Sequence, residues 1–233
     1  MKTLSLEPSF LRGIRSFVRR DSRITEAQKQ AWEKLSPVWR LNGEAGWLDF
    51  SSVFGRVAPC FIEIGFGSGQ SLAALAKQQP ETNFIGVETF KPGIGALLHQ
   101  IEIMQLSNIR IYYGDAVEFL EKAIPDQSLQ GMQIFFPDPW PKRRHHKRRL
   151  IQTTFATLVT CKLKNAGLLH IATDWQDYAK DMMKVLSAER ALYNLTGQGQ
   201  FAQRSCFRPV TTKFEDRGKK EGRLIWELQF AKV

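Results

Sequence analysis

Asp138 stands between two prolines in the run Phe135-Phe136-Pro137-Asp138-Pro139-Trp140-Pro141, and the basic octet Lys142-Arg143-Arg144-His145-His146-Lys147-Arg148-Arg149 follows at once. The prolines fix the backbone on either side of the carboxylate and keep the segment out of helix or ladder. Trp140 offers an aromatic face on which an unstacked base can lie, worth about 1–3 kcal/mol per base in single-strand sites. The octet can hold phosphates on either side of that base. A rigid turn followed by a solvated basic face is the plain alternative, and for a charge run alone it is the commoner one. The chemistry in question is therefore that of a nucleobase held beside a fixed carboxylate.

A second group of residues favours the chemical reading. Glu63-Ile64-Gly65-Phe66-Gly67-Ser68-Gly69 has the composition of a strand-to-helix turn that approaches a small ligand closely. Its spacing is GxGxG, with Gln70 where the dinucleotide fingerprint requires glycine, which disfavours NAD. About 20 residues further on, Glu88 closes an apolar run, where a carboxylate can accept from both ribose hydroxyls. Asp115, in Gly114-Asp115-Ala116, closes the next run and can accept from an adenine amino group. Each acid taken alone more often caps the following helix. Glycine turn, ribose acid and adenine acid in this order suit an adenosine-containing cofactor.

Positioning these residues together requires alternating strands and helices. Apolar runs at 60–64, 83–88, 109–113, 132–136 and 168–172 predict strands, separated by helical patterns at 71–79, 95–106, 116–123, 150–162 and 176–187. Right-handed crossovers bring all five strand ends to one edge of the sheet, where ligands bind in such folds. After Ser187 the helical rhythm stops, and residues 224–230 predict a strand returning antiparallel at the sheet edge. Residues 1–54 read as a basic extension with one helix at 25–34 capped by Thr25, and residues 55–233 as the catalytic domain.

The chain of 233 residues carries 43% hydrophobic and 24% charged residues, the balance of a folded domain, and a net charge of +10. The excess lies at Arg12, Arg15, Arg19, Arg20 and Arg23, in the octet, and at Lys213, Arg217, Lys219, Lys220 and Arg223. A polyanionic partner is implied, and no cluster alternates with a broad apolar helical face, which disfavours a membrane surface. Cys60, Cys161 and Cys206 match no zinc spacing, so no metal is expected. No apolar run approaches the ~20 residues of a membrane span, and a cytoplasmic location is expected.

The ordered glycine turn and two acids resemble the class I methyltransferases, whose cofactor is S-adenosylmethionine. Asp138-Pro139-Trp140 falls one proline short of the motif carried at this strand end by nucleic-acid amino-methyltransferases. The run F-P-D-P-W-P-K-R-R-H-H-K-R-R, with Glu63-Ile64-Gly65-Phe66-Gly67 upstream, resembles the bacterial tRNA guanine-N7 methyltransferase family. Ala172-Thr173-Asp174-Trp175 and Thr212-Lys213-Phe214-Glu215-Asp216-Arg217-Gly218 match it as well, so that the likeness spans roughly residues 59–233. Thr89-Phe90-Lys91-Pro92 departs from the family's pattern beside the ribose acid.

The resemblance implies an α/β fold of the class I methyltransferase (Rossmann-like) kind, with a mixed, mostly parallel sheet, helices on both faces and an antiparallel C-terminal edge strand. It implies methyl transfer from S-adenosylmethionine to N7 of the variable-loop guanosine of tRNA. Glu63, Gly65, Gly67, Gly69, Glu88, Asp115 and Asp138 would then face the cofactor, with Asp138 as active-site acid. Lys142, Asp174, Thr212, Lys213, Phe214 and Glu215 would bind the nucleoside, and Arg144, His145, His146, Lys147, Arg148 and Arg149 the RNA. The carboxylates of Asp138, Asp174 and Glu215 can either stabilise charge developing on the purine or read its N1–H and N2 edge, and the residues leave both roles open. The enzyme would act as a monomer or homodimer without an obligate protein partner. Two rival readings are a methyltransferase for another nucleic-acid base and a nonenzymatic RNA-binding protein.

Overall fold

The computed structural model describes Ser16 and residues 24–43 and 46–233, so Arg12, Arg15, Arg19, Arg20 and Arg23 lie outside the described residues. Its elements are α1 (Glu26–Trp39), α2 (Phe50–Phe54), β1 (Cys60–Ile64), α3 (Gln70–Gln78), β2 (Asn83–Glu88), α4 (Lys91–Met104), β3 (Ile109–Tyr113) and α5 (Ala116–Ala123), followed by β4 (Leu129–Phe135) and a 3-10 helix (Arg143–Arg148). The chain ends with α6 (Thr153–Lys162), β5 (Leu163–Thr173), α7 (Gln176–Ala188), β6 (Leu192–Asn194), α8 (Lys213–Lys220) and β7 (Trp226–Lys232). One seven-stranded sheet has the order β3-β2-β1-β4-β5-β7-β6.

The strands β1 to β5 are parallel, and the apolar runs of β1, β2 and β4 are buried on both faces, as inner parallel strands must be, while the edge strand β3 buries only alternate residues. Alternation along β1 sends Ile62 and Ile64 to the face covered by α5, α6 and α7, and Phe61 to the face covered by α3 and α4. β7 runs antiparallel to β5 as expected, and its N-terminal residue Trp226 lies opposite Thr173. The C-termini of β1 to β5 and the start of β7 therefore share one edge. The three-residue β6, which the sequence pattern does not predict, lies outside β7.

Several boundaries shift for visible reasons. Leu129 and Leu163 pair across an irregularity before the regular ladder begins at Gly131 and Leu168, so β4 and β5 start earlier than 132 and 168. α6 begins at Thr153 rather than 150, because Leu150 and Ile151 dock as buried irregular chain, with the Ile151 amide donating to the Tyr178 hydroxyl at 3.0 Å. α4 starts at Lys91, with Pro92 in its first turn, where a missing N–H costs nothing. α1 opens on a capping box between Thr25 and Gln28 and continues past Lys34 to Trp39. It packs on α4 where Gly95 admits it, since a Cβ there would lie 2.6 Å from the Gln28 carbonyl.

Candidate active site at the sheet edge

The glycine turn follows β1 directly. Gly67 has φ +60, and its amide donates to Glu88 Oε2 at 2.8 Å. A Cβ on Gly65 or Gly67 would meet nothing within 4 Å, so the turn faces open space. Behind it the packing is tight: a Cβ on Gly69 would lie 2.7 Å from Leu97, and one on Gly93 only 2.0 Å from the Gly67 carbonyl oxygen. Glu88 also accepts from the amides of Thr89 at 2.7 Å and Phe90 at 3.0 Å. Burial raises its carboxyl above the ordinary range, and those three backbone donors oppose the rise. Asp115 caps α5 through Oδ1, which accepts from Val117 and Glu118.

Glu63 lies beneath the turn, 4% exposed, and its Oε2 has no hydrogen-bond partner. Burial, with the Glu88 charge adding and Arg208 opposing, pushes its carboxyl up to about 8.

Pairing of Ile64 with Ile134 sets β4 beside β1, so the Asp138 turn leaves the sheet next to the glycine turn. The turn is bounded by two bulky residues in the left-handed region, Phe136 at φ +53 and Trp140 at φ +46. Such conformations cost about 1–3 kcal/mol each and persist where the surroundings enforce them, commonly at functional sites. The Trp140 ring lies under Arg148 at 4.8 Å, meets His145 edge-on at 6.0 Å, and donates to the Ser16 carbonyl at 3.3 Å. In the 3-10 helix, Arg144, Lys147 and Arg148 are exposed, while His145 and His146 are half-buried. Desolvation and the surrounding Arg144, Arg148, Lys142 and Lys147 charges lower the His145 pKa.

Asp174 follows β5 and accepts from Arg223 Nε at 2.9 Å and Nη2 at 2.8 Å. It also packs on Gly218, where a Cβ would lie 3.0 Å away, so α8 is held at the same edge. Thr212 caps α8 by accepting from the Glu215 amide at 3.2 Å.

With this geometry in view, the comparisons with known proteins are decisive. A family model described as a putative methyltransferase matches residues 57–228. A tRNA (guanine-N(7)-)-methyltransferase of Alcanivorax borkumensis is 50% identical over 222 residues, covering 95% of this chain and 92% of its own. An enzyme of the same name from Escherichia coli O6:K15:H31 is 47% identical over 239 residues and is matched over its full length. The chain belongs to the tRNA (guanine-N(7)-)-methyltransferase family. Solved structures with the same fold include the 16S rRNA methyltransferase KamB, with TM-score 0.59 at 12% identity over 80% of this chain and 94% of that one. An antibiotic-related methyltransferase has TM-score 0.53 at 14% identity over 81% and 94%.

In this tRNA (guanine-N(7)-)-methyltransferase family member, two of the residues expected at the site are buried in ion pairs. Arg149, expected to bind RNA, is the first. It is 4% exposed, stacks on Tyr178 at 4.8 Å, and pairs with Asp177 at 2.7 Å and with Asp181. The carboxylates of α7 draw it inward, while its neighbours Leu150 and Ile151 are buried beside it. Glu215, expected to bind the nucleoside, is the second. It is 1% exposed and bonds Arg208, Arg204 at 3.3 Å and Lys219 at 2.7 Å. Burial works to raise its carboxyl, but the Lys219 hydrogen bond and the Arg208 and Arg204 charges outweigh it and hold it below the ordinary range. Lys142, Lys213 and Phe214 are exposed and Thr212 half-buried.

Sequence reasoning misses a buried polar row in this methyltransferase. Glu63, Gln133 and His170 are register partners across β1, β4 and β5, and Glu227 on β7 accepts from His170 Nε2 at 2.8 Å. Arg208 crosses this row fully buried. In sequence only the polar residues inside apolar strands, Glu63, Gln133, His170 and Glu227, hint at it.

Proposed function

We propose that this protein transfers a methyl group from S-adenosylmethionine to N7 of a guanine in tRNA, forming N7-methylguanosine. The carrying observation is the pairing of β1 with β4, which brings the open glycine turn next to the Asp138 turn and its cationic 3-10 helix. The open space before Gly65 and Gly67 and the unpartnered oxygen of Glu63 suit a cofactor with a cationic amino acid end. S-adenosylmethionine, when bound, supplies an electrophilic methyl on sulfur.

The residues of the chain then have to hold and orient. Gly65, Gly67 and Gly69 line the cofactor, Glu63 faces its amino acid end, and Glu88 and Asp115 face its nucleoside. Glu88 Oε2 accepts from the Gly67 amide at 2.8 Å, and a carboxylate oxygen has two lone pairs, which leaves room for a ribose hydroxyl. Guanine N7 has an in-plane lone pair that is free at neutral pH, so no general base is needed and alignment dominates the rate, an effect worth about 7–11 kcal/mol in favourable cases. Asp138 sits by the reacting centre on a turn that cannot relax. Lys142, Asp174 and the segment from Thr212 through Lys213 and Phe214 to Glu215 hold the nucleoside, with Glu215 acting from inside its ion-pair cluster. Arg144, His145, His146, Lys147 and Arg148 meet phosphates, and Arg149 braces the turn.

Residues 55–233 form the catalytic domain and residues 1–54 an extension whose helix α1 braces α4. Among the described residues no helix is long and apolar enough to cross a membrane. We take the enzyme to act in the cytoplasm, as a monomer or homodimer.

Incubation with methyl-labelled cofactor and unmodified tRNA, followed by nucleoside analysis, tests the reading. Label in N7-methylguanosine is the expected result. Label on another base selects the rival acceptor, and cofactor binding without transfer overturns the assignment.

A further inference from the structure

Of the buried polar groups among the described residues, Arg208 is the one whose presence most needs a reason. Its guanidinium is 0% exposed, and taking a charge of this size out of water costs several kcal/mol even after relaxation. The surrounding sheet face carries Phe61, Phe84 and Phe135, so an apolar side chain would pack there at no such cost. What the guanidinium gains is contact with three separate elements.

The first contact is with the sheet. Arg208 Nη1 donates to Glu227 Oε1, and Glu227 is fixed in the β5–β7 ladder opposite Ala172. The other oxygen of Glu227 meets His170 at 2.8 Å and accepts from the Ser205 amide at 3.1 Å, so the strap carrying Arg208 is pinned at two points. The second contact is with α8: Arg208 Nη2 donates to Glu215 Oε2 in the first turn of that helix, just after the Thr212 cap. The third is with the acceptor turn. The guanidinium carbon lies 5.2 Å from the Phe136 ring and 5.4 Å from the Phe135 ring, and Phe136 is the left-handed residue that opens the Asp138 turn.

We propose that Arg208 is a positioning residue for methyl transfer, a buried fork that fixes the Thr212-to-Glu215 turn and the Asp138 turn relative to one another. The proposal rests on the reading above in which Glu215 lies at the nucleoside site. Arg208 acts through Glu215 and Phe136 and touches neither substrate nor cofactor. The planar fork is essential, because it reaches Glu227 and Glu215 with two separate nitrogens in fixed geometry. A lysine, with one compact ammonium, can hold one carboxylate but not both in that arrangement. The cofactor rim is built from β1, β2 and β3 and receives none of the fork's ion pairs, and Arg208→Lys keeps the positive charge felt by Glu63, so cofactor binding and tRNA methylation respond differently to loss of the fork.

The test uses the full chain with Arg208→Lys, Glu215→Gln and the double variant. Cofactor affinity is read by calorimetry, folding by thermal denaturation, and kcat and KM with unmodified tRNA. For Arg208→Lys the expected result is cofactor affinity within about twofold of wild type and kcat lowered at least about 30-fold, since misplacement of a reacting group by about an ångström costs on the order of 100-fold. Because both residues act as one unit, the double variant should be no slower than the slower single variant. An unchanged kcat for Arg208→Lys, or rate losses that multiply in the double variant, overturns the proposal. If Glu215→Gln alone keeps the wild-type rate, the nucleoside-site reading of Glu215 fails instead, and the Arg208 proposal with it. Should Arg208→Lys not fold, Glu227→Gln breaks the other arm of the fork, and the same measurements on it and its double variant with Glu215→Gln decide in the same way.

Discussion

Arg149 Nε donates to the carbonyl of Pro139 across 2.9 Å, and this bond ties the Asp138 turn to α7. The same guanidinium carries Asp177 and Asp181 on its other nitrogens. Arg149 and Arg148 are adjacent in sequence but have opposite surroundings, one 4% exposed and the other open to solvent over Trp140.

Replacement of Arg149 by alanine should therefore act on the fold and on turnover. Breaking a buried pair costs about 3–5 kcal/mol where both charges are buried, and the half-exposed Asp177 and Asp181 reduce this to about 1–3 kcal/mol. Thermal denaturation should show that loss, and the slope of tRNA affinity against salt should remain that of wild type. A flattened slope with intact stability would return Arg149 to the RNA surface.

Arg148→Ala should do the reverse. An exposed cation that neutralises one phosphate contributes about one unit of salt slope, so the variant should melt as wild type and bind tRNA more weakly, with the slope reduced by about one. Filter binding over a range of salt concentrations reads it directly.

Asp138→Asn should lower kcat strongly, by about 100-fold or more if the carboxylate faces charge developing on the purine, with little change in tRNA affinity. The two prolines beside it keep the turn's backbone in place in the variant. Single-turnover kinetics on labelled tRNA checks this, and a wild-type rate would remove Asp138 from the reacting centre.

Glu63 predicts a pH dependence of stability. Its carboxyl, ordinarily near 4.5, is pushed to about 8 in the folded chain by burial and the Glu88 charge. The folded state holds the proton more tightly than the unfolded one, so this contribution is complete below about 4.5 and is lost as pH rises through about 8. Glu63→Gln, which is neutral throughout, should show a flatter melting temperature from pH 5 to 9 than wild type. Parallel curves for the two proteins would mean that Glu63 is ionised when folded.

Much of this site is legible in the chain because its acids and glycines end apolar runs. Strands β1, β2 and β3 begin and end where those runs do, and Thr25 and Asp115 cap the helices they precede. α8 is different. Lys213-Phe-Glu-Asp-Arg-Gly-Lys-Lys220 has no apolar period, and only the Thr212-x-x-Glu215 spacing, a capping signature, announces it. Arg149 is hidden within a run of like charges, and Arg208 within a polar strap; each is buried by acids on other elements, at Asp177 and Asp181 of α7 or at Glu227 of β7 and Glu215 of α8. Burial of a long cation depends on where its partners fold, and no local pattern encodes that.

Gly93 and Gly67 separate two effects on cofactor binding. A Cβ on Gly93 would lie 2.0 Å from the Gly67 carbonyl oxygen, a backbone atom that cannot rotate away. Gly93→Ala must therefore displace the glycine turn or the start of α4, and the Gly67 amide would lose its 2.8 Å bond to Glu88. A Cβ on Gly67 meets only open space, so Gly67→Ala pays for its left-handed φ of +60, about 1–2 kcal/mol, and projects a methyl toward the cofactor. Calorimetry should show cofactor affinity reduced at least about tenfold in both variants, since about 1.4 kcal/mol suffices for that. Thermal denaturation without cofactor should distinguish them, with Gly93→Ala the less stable because its clash is with backbone behind the turn. Equal stability of the two variants would mean that α4 yields freely and that Gly93 does not support the turn.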